Sequence, residues 1–562
     1  MAKKKNENTL SYLQMPLPQG SKYSKMTKVS FGGLNKRQVI DSGSLSMESN
    51  ISTNEYPYLT PCNKKLSVLS DYAIPIGMYA FDDFILVIYR EDVTVKIDYI
   101  TADGEVFTGT LKTGEITSDD DLPRSIVQFN VYDTPTDPIS GKFVKRLLIF
   151  PDKKSMAFNL DDLLNDENND TDDDFKLYDM SVLIKEYDNG KEPYLPPETA
   201  NHSYYYQNIN EDARNADTLY GSAIYRWVDD EDDSDNSGWK ISIPPTMPNI
   251  KYAAVHLSRV FGVDDDRVYA SGYNDYTNWN LDTVDEYNES NAWCSPSQAN
   301  TKAGGNFTGI TAYQNHIICF KHDFMHEIYN TKNPFRLQDI YAEGTIDNRT
   351  IQDVDGKLIF VSEDDVKVYT GSNPRIIGYN LNMSSYQYAV SGTDNRNYYL
   401  YCEDEKDNKY LYVYDTYTDF WSEQSVTDRV ISFAHNKNGM YMLSADGSVY
   451  KMDTDSYNHE WSFETELITN KTVDIKHIKK LQMLVEVAKS ANMKVYILYD
   501  DEIFDKNTSH IVYTSTKTGK FPIRVKPRKT ANYGFKLHIE GTGYVKLYEL
   551  EIFIEAGGDL YV

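Results

Sequence analysis

The sequence is poor in cysteine and has no long apolar run. Its 562 residues hold four cysteines, Cys62, Cys294, Cys319 and Cys402, and no two of them form a CxxC pair. This spacing gives no sign of a disulfide framework or a zinc site, and a reducing cytosol is the simplest place of synthesis. No run of about 18 apolar residues could span a membrane. The basic start MAKKKNENTLSYLQMP lacks the apolar stretch of a signal peptide.

Short catalytic patterns are also missing. The chain contains no GxSxG elbow, no phosphate-cradling GxxxxGK[ST] and no HExxH. Residues 444–452, SADGSVYKM, begin like the Asp-box turn of sialidase-type propellers but lack its Thr-Trp end. With 85 acidic residues, the paired carboxylates of a glycosidase can be drawn anywhere and carry no information. We therefore expect that the protein is not an enzyme and that it has no catalytic residue and no cofactor.

Positive charge is scarce. The chain has 57 Lys and Arg against 85 Asp and Glu, a formal net charge of −28, which argues against a nucleic-acid binder of the usual kind. Acidity at this level serves solubility and repulsion between monomers, or makes a surface that DNA passes without sticking. The acidic runs at 161–174 and 229–235 favour solvated loops. Calcium is the alternative, but neither run has the spacing of an EF-hand loop.

Basic residues concentrate in two segments. Residues 1–40 carry eight Lys or Arg and one Glu, and residues 471–530 carry 13 Lys or Arg and six acids. A basic arm on an acidic protein indicates either a docking tail or an ordinary disordered terminus.

Histidines gather at one place, in the stretch HIICFKHDFMH. It holds His316, Cys319, His322 and His326, but its flanks read as strand, where successive side chains alternate between faces. A zinc site needs three or four convergent ligands. We therefore interpret these as ordinary sheet histidines and predict no metal site.

Tyrosine is abundant, and short strands recur along the chain. The 46 tyrosines suit half-buried sheet faces, where the ring packs and the hydroxyl reaches a polar partner. From residue 66 onwards, groups of two or three short strands follow one another, joined by Asn, Asp and Gly turns. One such meander cannot bury both of its faces, but several stacked around an axis can. The pattern predicts a β-propeller of six to eight blades, with an array of β-sandwiches as the alternative.

Longer alternating strands fill the C-terminal part. They predict a jelly-roll-like β-sandwich over 470–562. The expected all-β architecture is an extended N-terminal arm at 1–65, a propeller at 66–465 with an acidic insertion at about 165–250, and this sandwich.

Several phrases occur in an order that points to one family. Near the start stand Phe31-Gly32-Gly33-Leu34-Asn35 and the Tyr56-Pro57 of YPYLTP. A later strand group carries Tyr269-Ala270-Ser271 followed by Asn278-Trp279, and further phrases stand at 356–371, 411–421 and 522–543. In this order they resemble the tail nozzle, or packaged-DNA stabilisation, proteins of short-tailed bacteriophages. The insertion at 165–250 departs from the family pattern.

The resemblance implies a structural protein of the virion tail, made in the host cytoplasm and without a membrane anchor. It implies a ring of six copies that contacts the portal, the adaptor and other tail proteins, and that retains and then ejects double-stranded DNA without binding it specifically. We hypothesise that the acidic turns Asp264-Asp265-Asp266 and Glu363-Asp364-Asp365, or the runs at 161–174 and 229–235, line the channel. The basic segments would then contact other subunits or the adaptor.

A second interpretation is a receptor- or glycan-binding tail protein. In that case the Tyr- and Trp-rich stretch at 202–245 would stack on sugars.

Overall fold

The chain is described by a computed structural model. The described residues are 23–37, 44–81, 84–101, 104–112, 123–133, 142–151, 156–159, 178–179, 205–207, 223–228, 238–242, 248, 250–265, 267–276, 279, 281, 289–295, 305–340, 344–383, 385–469, 475–500, 502–515, 517–528 and 530–556. They form 42 strands and two short 3-10 helices, Asn348–Thr350 and Gly378–Leu381, so the fold is all-β. None of the described helices is long and apolar enough to cross a membrane.

The first strands of the chain form an arm. They are β1 (Tyr23–Lys28), β2 (Leu45–Ser49), β3 (Ile51–Ser52) and β4 (Thr60–Pro61), followed by β5 (Leu66–Leu69).

Seven four-stranded antiparallel sheets follow, and we call them blades 1 to 7. Blade 1 is β6 (Ile74–Phe81), β7 (Phe84–Glu91), β8 (Thr94–Ile100) and β9 (Val106–Lys112), and blade 2 is β10 (Pro123–Asp133), β11 (Lys142–Pro151), β12 (Met156–Asn159) and β13 (Tyr178–Asp179). A separate three-stranded sheet comes next, with β14 (Tyr205–Gln207), β15 (Ala223–Val228) and β16 (Gly238–Ser242). Blade 3 is β17 (Tyr252–His256), β18 (Arg259–Val263), β19 (Val268–Ala270) and β20 (Trp293–Cys294), and blade 4 is β21 (Phe307–Tyr313), β22 (His316–Lys321), β23 (Met325–Tyr329) and β24 (Arg336–Ile340). Blade 5 is β25 (Gln352–Val354), β26 (Lys357–Val361), β27 (Val366–Tyr369) and β28 (Arg375–Ile376), and blade 6 is β29 (Tyr388–Thr393), β30 (Asn397–Glu403), β31 (Lys409–Asp415) and β32 (Phe420–Gln424). Blade 7 is β33 (Val430–Asn436), β34 (Gly439–Ser444) and β35 (Val449–Lys451), completed by β5.

Tight turns make these meanders possible. Between β25 and β26, Asp355 and Gly356 both have positive φ, 52° and 72°. Two successive positive φ values are what a two-residue hairpin turn requires, and Asp-Gly is a favoured sequence for it. The Asn, Asp and Gly turns of the sequence therefore set the strand boundaries.

The seven blades close into a propeller around one axis. The first strands of all seven line a common cavity, and apolar clusters fill the spaces between neighbouring blades. The ring is closed where the Ser432 hydroxyl of blade 7 donates to the Met78 carbonyl of blade 1, over 2.8 Å. It is closed again where β5, which precedes blade 1 in the chain, pairs with β35 of blade 7 through Leu69 and Val449. Seven blades fall within the predicted range of six to eight.

Two further sheets form the C-terminal unit. The remaining strands are β36 (Glu460–Thr465), β37 (Lys476–Val487), β38 (Asn492–Tyr499), β39 (His510–Ser515), β40 (Gly519–Val525), β41 (Phe535–Thr542) and β42 (Val545–Ala556). The strand orders are β1-β42-β37-β40 and β2-β36-β41-β38-β39, and the two sheets enclose one apolar core. The jelly-roll connection of this sandwich stays a prediction.

The boundaries of this unit differ from those expected. β36 was expected at the end of the propeller, but it pairs with β41, and its Trp461 and Phe463 belong to the sandwich core. The arm is also part of the sandwich, because β1 pairs with β42 and β2 with β36. The two pairings of the arm each span more than 400 residues of chain, so local pattern could not indicate them.

Candidate functional site

The propeller axis encloses a polar cavity. Its empty volume is about 1700 Å³, open solvent at the mouths included. The inner strands are about 20 Å long, at ~3.3 Å per residue. A cylinder of this length and volume has a diameter of about 10 Å. The major groove of B-DNA alone is about 12 Å wide. The axis of one propeller is therefore too narrow for duplex DNA.

A charged pair stands in this cavity. Asp347 caps the 3-10 helix by accepting the Arg349 N–H at 2.8 Å, and its carboxylate also binds the Arg349 guanidinium at 2.7 and 3.1 Å. The Tyr388 hydroxyl lies 3.4 Å from the same guanidinium. The cavity also contains Tyr79, and burial raises the pKa of Tyr79 to about 12. The ion pair is thus local to the 3-10 helix, and Tyr388 links it to blade 6.

Those predicted channel-lining acids that the structure describes lie away from this cavity. Asp264 and Asp265 lie in the turn between the second and third strands of blade 3, and Glu363 to Asp365 lie in the same turn of blade 5. Strands of a meander alternate in direction, so these turns share one rim of the propeller. Asp266 lies outside the described residues. Whether this rim faces the lumen of a ring of subunits stays a prediction.

The blade 3 acids have local structural roles. Asp264 accepts the Arg267 N–H at 2.6 Å and the Tyr269 hydroxyl at 2.8 Å. Asp265 pairs with Lys251 and accepts the Asn306 amide at 2.9 Å. These contacts fix the turn and partly neutralise it.

The blade 5 acids are less fully paired. Asp364 accepts the Ser362 hydroxyl at 2.7 Å and lies 3.3 Å from the Lys367 amine. Asp365 accepts the Val366 N–H at 2.8 Å, and burial raises the pKa of Asp365 to about 6. Glu363 is exposed, and its carboxylate reaches the turn of blade 4.

Blades 4 and 5 bring together a group that sequence reasoning missed. The ligand-type atoms of His322, Asp323 and Glu363 all lie within 4.8 Å of one another, and no other such group of three occurs in the described part of the chain. The His322 and Asp323 side chains are 45% and 68% exposed. The sequence pattern does not link His322 to Glu363, because Glu363 comes from the next blade.

The four residues of the predicted histidine group do not gather at one point. Cys319 and His326 are cross-strand partners and both are buried. His316 lies against Glu327, and His322 stands at the turn with Asp323.

The first motif of the resemblance, residues 31–35, joins the propeller to the sandwich. The Leu34 N–H donates to the Trp421 carbonyl of blade 6 at 2.8 Å, and the Asn35 N–H donates to the Leu45 carbonyl of β2 at 2.8 Å. Phe31 is buried in the sandwich core and Leu34 in the core shared by blades 5 and 6. A Cβ at Gly33 would lie 2.4 Å from the Trp421 carbonyl oxygen, so only glycine fits.

The other phrase residues are also structural. Gly32 is buried beside Gly33, and the Pro57 carbonyl accepts the Phe31 N–H at 3.2 Å. The ring of Tyr56 meets the edge of Phe420 at a centroid distance of 5.5 Å.

In blade 3, Tyr269 and Ala270 lie in β19, and Ala270 is buried. The Ser271 hydroxyl accepts the Val260 N–H at 3.0 Å. Trp279 is buried and donates to the Tyr276 carbonyl at 3.0 Å. Asn278 lies outside the described residues.

The inserted region contributes the small sheet of β14, β15 and β16. Within it Trp227 is opposite Trp239. The acidic runs at 161–174 and 229–235 lie outside the described residues.

Comparisons with known proteins give a limited result. No protein-family model and no curated protein matches the chain. Among solved structures, BamB from Moraxella catarrhalis matches with a TM-score of 0.29 and 10% identity, over 67% of this chain and 82% of its own. The WD40 domain of Toxoplasma gondii coronin matches with a TM-score of 0.26 and 7% identity, over 90% of this chain and 88% of its own. At these scores the assignment of the chain as a β-propeller depends on its own sheet topology.

Proposed function

We propose that the protein is a structural component of a phage tail. In this proposal several copies, six by the family resemblance, form a nozzle ring through which DNA is retained and then ejected. The observation that carries the proposal is the junction built by the first phrase, where residues 31–35 hydrogen-bond both to blade 6 and to the sandwich. The first of the motifs that carry the resemblance thus helps to fix the two units to each other.

The narrow bore of the propeller is consistent with a DNA passage formed by a ring of subunits. Duplex DNA does not fit along the axis of one chain, so a passage for DNA has to lie between copies. An acidic wall suits such a passage, because phosphates are repelled from it and do not adhere.

Electron microscopy of the purified full-length chain tests the proposal. We expect rings with six-fold symmetry and a central opening wide enough for duplex DNA, measured by negative-stain class averages over a concentration series. A chain that stays monomeric at every concentration, and that is absent from purified virions of the phage encoding it, would contradict the nozzle assignment.

The receptor- or glycan-binding alternative has one favourable observation. Trp227 and Trp239 are cross-strand neighbours in the inserted sheet, and paired aromatic residues suit stacking on sugar rings. Binding of the full chain to a glycan array, lost in Trp227→Ala and kept in Tyr417→Ala, would favour this function. Tyr417 is an exposed control on blade 6.

A further inference from the structure

One edge of the sandwich carries exposed positive charge. Among the described strands, β40 is the outermost of its sheet, paired with β37 on one side only. Arg524 lies in this strand, Lys526 and Arg528 follow it, and all three are exposed. No acidic side chain of the described residues forms an ion pair with them, and the cross-strand neighbour of Arg524 is Gln482. We call these three residues the basic edge.

Alternation places the three cations together. Residues at i, i+2 and i+4 of an extended chain lie on one side, at about 3.3 Å per residue, so Arg524 and Arg528 are separated by about 13 Å. Pro527 keeps the chain extended between the last two, because its ring fixes φ and disfavours helix at Lys526.

A patch of opposite charge lies on the propeller rim, with the Lys367 amine 3.3 Å from one of its carboxylates. Asp323 and Glu363 come from neighbouring blades, and their carboxylates lie within 4.8 Å of one another. Asp364 stands beside them with a side chain that is 61% exposed. We call these three residues the acidic corner. Two carboxylates at this separation repel each other, and an arriving cation would relieve that repulsion.

We propose that the basic edge of one copy docks on the acidic corner of a second copy of this chain. The inference rests on the proposed ring and names the surfaces that build it. The two patches differ, so the contact is heterologous, and repeating it generates a ring when the rotation closes.

Charge complementarity favours a second copy as the occupant. The chain carries −28 overall, so two copies repel at long range, and association requires a local pairing of opposite charges. Guanidinium groups bind carboxylates with two parallel hydrogen bonds, which sets orientation as well as attraction. Every copy offers both surfaces, so each copy can satisfy two neighbours.

The basic edge could instead only protect a strand edge from aggregation, since lysine and proline on edge strands do this. Charge reversal separates the two roles, because a glutamate protects an edge as well as an arginine does. Docking, in contrast, requires the positive sign.

The test reverses each patch and then both. Arg524→Glu with Lys526→Glu, and separately Asp323→Lys with Glu363→Lys, should each weaken self-association by about tenfold or more, measured by sedimentation velocity and ring counts. The chain carrying all four substitutions should recover rings, because the pairing is restored with signs exchanged. Lys489→Glu and Asp407→Lys, exposed charges outside both patches, are the matched controls and should leave assembly unchanged.

The outcomes separate the inference from the proposed function. If the wild-type chain forms rings and both reversed variants form them equally well, the docking contact is wrong and the nozzle proposal stands. If the wild-type chain stays monomeric at every concentration and is absent from purified virions, the nozzle proposal and the docking contact both fail. Zinc binding by calorimetry that is lost in Glu363→Gln, with rings intact in the reversed variants, would make the acidic corner a metal site. Binding of a 20-base-pair duplex that is lost only in Arg524→Glu with Lys526→Glu, again with rings intact, would make the basic edge a nucleic-acid surface.

Discussion

A few acidic residues are buried and have a structural role, unlike the many exposed acids that only contribute charge. Glu48 is buried at the junction of β2 with blade 6, where its carboxylate accepts the Glu423 N–H at 2.9 Å. Burial raises the pKa of Glu48 well above the usual range. Lys36 pairs with Glu423 beside it. Among 85 acids the sequence could not single out Glu48, because its burial depends on the arm meeting a blade about 375 residues later.

Asp365 gives a pH dependence at the residue scale. Its folded pKa is raised by burial to about 6, against about 3.9 in an unfolded chain. This shift favours folding most below pH ~3.9, and the contribution is lost as pH rises through about 6. Asp365→Asn should therefore raise stability at pH 7.5 by on the order of 1 kcal/mol, after discounting for partial exposure, and by less at pH 5.5. Urea unfolding of both chains at the two pH values measures the difference.

Asp92→Asn is the control for that experiment. Asp92 is exposed in the turn between β7 and β8 of blade 1, so its replacement should give the same small change at both pH values. An Asp365→Asn effect that is equal at pH 5.5 and 7.5 would contradict the assignment.

Tyrosine hydroxyls tie neighbouring blades together at the scale of elements. Tyr398 of blade 6 donates to the Thr350 carbonyl before blade 5 at 2.8 Å, and Tyr313 of blade 4 donates to the Gly356 carbonyl of blade 5 at 2.7 Å. Tyr388 of blade 6 donates to the Val430 carbonyl of blade 7 at 3.0 Å. Each tyrosine side chain packs between two sheets, and its hydroxyl donates a hydrogen bond to a backbone carbonyl at the neighbouring blade. This explains why a propeller core can be rich in tyrosine.

Removing one such hydroxyl should weaken the ring. Tyr398 is fully buried, so Tyr398→Phe leaves a carbonyl without its donor and should lower stability by about 1–2 kcal/mol. Tyr417→Phe, at a tyrosine that is 67% exposed, should change it by less than about 0.5 kcal/mol. Thermal unfolding by calorimetry measures both. Equal effects of the two substitutions would show that the hydroxyl bridge contributes nothing.

The charge of the whole molecule controls what passes beside it. The chain has −28 overall while residues 471–530 carry +7, from 13 Lys or Arg and six acids. At low salt the repulsion of phosphates by the whole chain should outweigh their attraction to the basic edge. The Debye length is then tens of ångströms, so distant charges still interact.

We therefore expect no binding of duplex DNA by the full-length chain. Fluorescence anisotropy with a labelled 20-base-pair duplex, from 20 to 150 mM salt, should show a dissociation constant weaker than about 100 μM, the range of weak non-specific binding. Micromolar binding that falls steeply with salt would contradict an acidic, non-adhesive wall.

The sequence by itself determined the local structure of this protein. The Asn, Asp and Gly turns and the alternation of short strands were sufficient to predict meanders stacked into a propeller, because turn geometry and strand period are local properties. The same holds for the strands of the C-terminal unit, whose alternation is visible residue by residue.

Only the tertiary structure decided which distant segments pair. It placed β5 in blade 7, β36 and the arm in the sandwich, and Asp323 beside Glu363. It also showed that the described acids among those predicted to line a channel, at 264–265 and 363–365, lie in turns on one rim and outside the axial cavity. These features depend on contacts between residues that are far apart in the chain. Such contacts form only in the folded propeller and sandwich, so local sequence patterns do not indicate them.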